Sequence, residues 1–183
     1  MARETSSAII RKMENTLKDS LEFQIGDLLR ARGLRLATAE SCTGGLVADR
    51  ITDIPGASDY FAGGVVAYAN AVKTQHLGVA PGTLERHGAV SRETVLEMAR
   101  GARRLLSADI AVSVSGIAGP GGGLPGKPVG TTWTGLAAGD GEWARLFCWD
   151  GDRVQNKRDS AEAVLLLLLD YLQGSRDLDS GQP

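Results

Sequence analysis

Apolar residues recur at steps of three and four between Ser7 and Arg32, at Ile10, Met13, Leu17, Leu21, Ile25 and Leu28, with charged residues filling the gaps. That period predicts helix, and Gly26 inside the run allows two shorter helices in place of one. Gly33 supplies a stop. "LRLATA" (34–39) alternates apolar and polar and predicts a strand that runs into "TAESCTGGL" (38–46). A helix is expected from Thr43, with Val47, Ile51 and Ile54 on one face, ended by "DIPGAS" (53–58). "YFAGGVVAYA" (60–69) predicts a buried strand whose glycine pair suits a bulge or a close backbone approach. A short helix over "NAVKTQHLG" (70–78) and a connecting segment, "APGTLERHGAV" (80–90), follow.

Ser91 with Glu93 marks a helix start, and Val95, Met98, Ala99, Ala102, Leu105 and Leu106 make the stripe behind it. "DIAVSVS" (109–115) is a strand. It opens into "GIAGPGGGLPGKPVG" (116–130), too rich in Gly and Pro for regular structure. "TTWTGLAA" and "EWARLFCW" predict an antiparallel hairpin around "GDG". "GDRVQNKRDSAEAVLLLLLDYL" (151–172) predicts a closing helix whose last turns are apolar on nearly every side, buried in the core or against another subunit. Strands alternating with helices, then a hairpin, predict an α/β fold: three layers, α/β/α, with a mixed, partly antiparallel sheet. The expected organisation is an N-terminal helical extension over 1–20, a domain over 21–173 and a disordered polar tail over 174–183.

Composition narrows the function. The 183 residues suffice for one domain, and 43% hydrophobic with 23% charged residues is ordinary for a soluble globular chain. A net charge of -2 gives no electrostatic reason to expect nucleic acid or an anionic membrane as partner. The two cysteines, Cys42 and Cys148, form no CxxC, and His76 and His87 lack zinc-site spacing, so neither a disulfide scaffold nor a metal site is expected. There is no signal-like N-terminus, and "AVLLLLL" (163–169) is too short to span a bilayer; the expected location is cytoplasmic.

Three polar junctions at strand ends carry the candidate chemistry, because open α/β sheets place ligands beyond the carboxyl ends of their strands. The first is Ser41-Cys42-Thr43-Gly44-Gly45, where helix-start N–H groups can receive an anion or an oxyanion. The alternative there is a simple helix cap by Ser41 or Thr43. The second is Tyr68-Ala69-Asn70 with Lys73, a lysine in a mostly apolar stretch that burial can turn into a neutral base; the alternative is a surface lysine. The third is the loop from Ser115 through Gly116, Gly119, Gly121 and Gly122, whose small residues expose backbone to a ligand. It is neither a Walker loop nor a G-x-G-x-x-G fingerprint, and a flexible surface loop is its alternative.

The segments "TAESCTGG", "GGVVAYANAVKTQHLGV", "HGAVSRET", "SGIAGPGGG" and "KPVGTTW", in this order, resemble the CinA C-terminal family over roughly Phe23 to Leu172. The resemblance implies a stand-alone form without the molybdopterin-binding-like domain of longer members. It implies hydrolysis of the carboxamide of nicotinamide mononucleotide to nicotinate mononucleotide and ammonia. It also implies Ser41 as nucleophile, assisted by Lys73 and Tyr68, with Arg153 of "GDR" toward substrate. Where many members carry threonine before "GIAGP", this chain has Ser115; Lys157 and Arg158 stand where members often have a second basic residue.

On this reading Lys73, kept neutral, takes the serine proton directly or through Tyr68. N–H groups at Thr43, Gly44 and Gly45 or in the 116–123 loop hold the oxyanion, and the phosphate lies at the glycine loop beside Arg153 or Lys127. Cys42 is the rival nucleophile, but neighbours at a strand end point opposite ways, so it is expected to pack inward. No cofactor is expected. The partner is a small nucleotide, and a homodimer is expected. The competing reading is a non-catalytic nucleotide-binding or competence-related regulatory module.

Overall fold

The computed structural model describes residues 20–175 and 177–179, so the helix predicted over residues 7–19 lies outside the described residues. Helix α1 (Leu21–Arg32) is capped by Ser20, whose hydroxyl accepts from the Phe23 N–H, and ends on Gly33 in the left-handed region. Then come β1 (Leu36–Glu40), α2 (Leu46–Thr52), a 3₁₀ turn (Ala57–Asp59), β2 (Phe61–Val66), α3 (Asn70–Leu77), α4 (Pro81–His87) and α5 (Arg92–Leu105). The chain continues through β3 (Ile110–Gly116), β4 (Thr131–Ala137), β5 (Glu142–Cys148) and α6 (Arg153–Leu172).

The strands form one sheet in the order β2-β1-β3-β4-β5. β1 lies parallel to both β2 and β3, while β4 and β5 run antiparallel. Helices cover both faces, giving the expected three layers and mixed sheet. On one face Leu36, Val112, Val114 and Leu136 pack with Ile25 and Leu29 of α1, Val47 and Ile51 of α2, and Val164, Leu165 and Leu168 of α6. On the other, Ala37, Ala39 and Ala111 meet Leu77 of α3 and Met98 and Ala102 of α5. Alanines on that face let α5 sit close to the sheet.

α3 and α5 also touch closely. A Cβ on Gly101 would fall 1.9 Å from the Leu77 carbonyl oxygen, so that crossing requires glycine. Gly101→Ala should therefore force the helices apart and cost roughly 2–3 kcal/mol, read as a lowered urea midpoint with an unchanged slope.

Four features differ from the sequence expectation. The segment read as a connection contains helix α4, with Pro81 in its first turn, where proline's missing N–H costs nothing. Seven residues are too few for a helical period to show. Second, β2 is an edge strand with two of its six positions exposed and none fully buried, not a buried one. Its glycines do serve a close approach, since a Cβ on Gly64 would fall 2.2 Å from Thr38 Oγ1, and the β1–β2 register shifts between Leu36 and Ala37. Third, α2 begins at Leu46 rather than Thr43.

Fourth, residues 177–179 of the expected disordered tail lie along β5. Arg145 donates to the carbonyls of Asp177 and Leu178, the Ala144 N–H donates to the Asp179 carboxylate, and Leu178 is buried in the core. One apolar anchor and one arginine suffice, and an average over composition does not register them.

Candidate active site

The parallel strands bring the turn after β1 and the turn after β2 to one edge of the sheet. Ser41 follows β1 directly, and its N–H donates to the Val114 carbonyl of β3 (3.0 Å). The Ala67 N–H, just beyond β2, donates to the Glu40 carbonyl (2.7 Å). α3 starts at Asn70, which places Lys73 on the helix face that also buries Leu77, one turn on. Its Nζ reaches Ser41 Oγ at 3.0 Å, the Ala67 carbonyl at 2.7 Å and the Tyr68 carbonyl at 3.3 Å. Lys73 is 1% exposed and Ser41 8%. Burial disfavours the ammonium and holds Lys73 below a lysine's ordinary pKa.

Three acceptors match the three N–H bonds of an ammonium. When the proton leaves, the two carbonyls retain the two remaining N–H bonds and the lone pair faces Ser41 Oγ. The carbonyls thus fix which way the amine points in either protonation state.

Cys42 faces the opposite way. It is 6% exposed among the core residues under α6, and a Cβ on Gly116 would lie 3.1 Å from its Sγ. Burial pushes its thiol up to about 12, so it carries no thiolate near neutral pH.

Glu40 is the residue that sequence reasoning passed over. Its fully buried carboxylate accepts from the Thr43 hydroxyl (2.7 Å) and from the N–H groups of Gly45 (2.9 Å), Val47 (3.1 Å) and Ala48 (2.9 Å). It caps α2 from the end of β1 and cross-braces the turn that carries Ser41. The available signal was a glutamate closing a buried run, "LATAE", immediately before a predicted helix start.

This corrects the expected role of the helix start. The Gly45 N–H and the Thr43 side chain are taken by Glu40 and are not free for a ligand. Glu40→Ala should leave four donors without their acceptor and cost about 3 kcal/mol in stability by urea unfolding. Glu40→Gln should cost less, because its amide oxygen can retain one side of the cradle.

The remaining predicted residues fall into two groups. Tyr68 and Arg153 meet, with Arg153 Nη2 donating to the Tyr68 hydroxyl (3.0 Å) and Nη1 to the Gly119 carbonyl (2.7 Å). Tyr68 is 60% exposed; its hydroxyl accepts from Arg153, and its hydrogen bond with Lys73 runs through its carbonyl rather than its ring. Asn70 is exposed in the first turn of α3.

The other group is structural in its contacts. The Ser115 hydroxyl donates to the Ala89 carbonyl and ties β3 to the segment before α5. Gly116 packs against Cys42 and Thr132, while Gly121 and Gly122 are exposed in the loop. Lys127 donates to the carbonyls of His87 and Val90, closing the end of α4. Beside Arg153 a cleft of about 460 Å³ is lined by Ala118, Pro120, Val129, Gly151, Asp152 and Val154; neither Ser41 nor Lys73 lines it.

The model of the CinA C-terminal domain matches residues 18–172. This chain belongs to the CinA C-terminal domain family. Nicotinamide-nucleotide amidohydrolase PncC of Escherichia coli is 50% identical over 157 residues, covering 85% of this chain and 95% of that protein. The CinA-like protein of Chloroherpeton thalassium is also 50% identical over 85% of this chain, but the chain spans only 38% of that protein's length. In structure, competence damage-inducible protein A from Klebsiella pneumoniae superposes with a TM-score of 0.82 at 36% identity, covering 85% of this chain and 97% of the other. Among the described residues no helix is long and apolar enough to cross a membrane, and no group of three or more His, Cys, Asp or Glu side chains converges.

Proposed function

We propose that this chain is a cytoplasmic nicotinamide-nucleotide amidase that converts nicotinamide mononucleotide and water to nicotinate mononucleotide and ammonia. The observation that carries the reading is the buried Lys73 amine 3.0 Å from Ser41 Oγ, a base matched to a hydroxyl nucleophile. Half-identity to a protein named for that reaction, over nearly its whole length, supports the choice of substrate.

In the reaction the Ser41 proton passes to the Lys73 lone pair as Oγ attacks the carboxamide carbon. Glu40 leaves the Gly44 N–H unclaimed, and this donor receives the oxyanion. Lys73 returns the proton to the amide nitrogen, the C–N bond breaks and ammonia departs. Water, deprotonated by the same amine, attacks the Ser41 ester; the C–O bond to Oγ breaks, Ser41 recovers its proton and the acid leaves. Tyr68 and Arg153 form the outer wall.

Ammonia release from nicotinamide mononucleotide by the wild-type protein is the direct test. Binding of the nucleotide with no ammonia above the uncatalysed rate would reject the amidase in favour of a binding module.

A further inference from the structure

A phosphorylated substrate needs a cation, and the usual anion site of this fold is already filled. The N–H groups that open α2 are turned onto the Glu40 carboxylate, so a phosphate cannot use them. Nor are the cations expected from sequence free. Lys73 is held by Ser41 and two carbonyls, Lys127 by two carbonyls, and Arg153 gives one nitrogen to Gly119 and another to Tyr68.

Lys157 differs. It lies one turn beyond Arg153 on the same face of α6 and is half-buried, and no acceptor is assigned to its ammonium among the described residues. Its Nζ stands 3.9 Å from the point a Cβ would occupy on Gly44. Gly44 is exposed and in the left-handed region at φ 67, so no side chain separates the ammonium from the turn that carries Ser41. A partly desolvated cation with all three donors unspent, beside a glycine three residues after the nucleophile, is a place for an anionic oxygen group.

Building on the amidase reading above, we propose that Lys157 holds the phosphate of the mononucleotide on the α6 side of the Gly44 turn, away from the Gly44 N–H that receives the oxyanion. Lys157, rather than Arg153, then sets the preference for nucleotide over nucleoside. Arg153 keeps the wall together by joining Tyr68 to the glycine loop.

The test compares wild type, Lys157→Met and Lys157→Arg with nicotinamide mononucleotide and with nicotinamide riboside, which lacks the phosphate. Equilibrium binding and ammonia release are both measured. Lys157→Met should weaken nucleotide binding and raise its KM by roughly ten- to a hundredfold, the loss of one charge-assisted hydrogen bond. It should leave kcat and riboside binding unchanged, and Lys157→Arg should restore most of the loss.

Equal losses for nucleotide and riboside, or no loss for either, would overturn the proposal. So would a fall in kcat at constant KM, which would move Lys157 to the oxyanion. A wild-type protein that binds the nucleotide without releasing ammonia rejects the amidase alone. The ratio of the two binding constants then still decides whether Lys157 reads phosphate.

Discussion

Ser41→Ala should reduce ammonia release from nicotinamide mononucleotide by about four orders of magnitude or more, with the fold and nucleotide binding retained. The asymmetry follows from what the side chain touches. Its hydroxyl is bonded to the Lys73 amine, while the backbone attachment to Val114 does not involve the side chain. Alanine fits the same space, and Lys73 retains its two carbonyl partners. Cys42→Ala should show the opposite pattern: near-normal turnover and a loss of about 1–2 kcal/mol in stability, because the thiol fills core space against Gly116. Were the cysteine variant inactive and the serine variant active, the nucleophile would be the thiol despite its burial, and the assignment of the two faces of this turn would be wrong.

That assignment was half legible in the sequence. Alternation at a strand end puts Ser41 and Cys42 on opposite sides, and the structure has Cys42 in the core. The strands and longer helices were legible too, because period two and period 3.6 are written in residue type. What periodicity cannot carry is pairing between distant segments. The contact of Arg153 with Tyr68 joins residues 85 apart, and the Lys127 clasp on His87 joins residues 40 apart.

Bonds to main-chain carbonyls leave no trace in the identity of the accepting residue. Lys127 therefore looked like a phosphate ligand when it is a strut. Glu40 was hidden for a related reason: its partners are mostly N–H groups, which every residue but proline has. Lys73 did leave a signal, being four residues before the buried Leu77 and so on the apolar face of a short helix. Only its partner, 32 positions away, was invisible to local pattern.

Lys73→Met should lower kcat by roughly 10²–10⁴-fold with little change in KM, because the lysine stands behind Ser41 rather than in the open cleft. The pH dependence separates a base from a mere structural charge. Wild-type turnover should rise with pH along a limb set by Lys73, below the ordinary lysine range, because burial depresses its pKa. The variant should lack that limb.

Stability offers an independent readout with a fixed sign. Between the depressed pKa of the folded state and the ordinary value of the unfolded chain, the unfolded chain binds more protons, so wild-type stability gains from this group as pH rises through that window. Below the folded-state pKa the full cost of burying the ammonium is present. The difference in urea midpoint between wild type and Lys73→Met should therefore shift toward wild type as pH increases, with other titrating groups cancelling in the comparison. A variant that loses affinity but keeps kcat and the alkaline limb would make Lys73 a positioning charge, and the proton from Ser41 would need another acceptor.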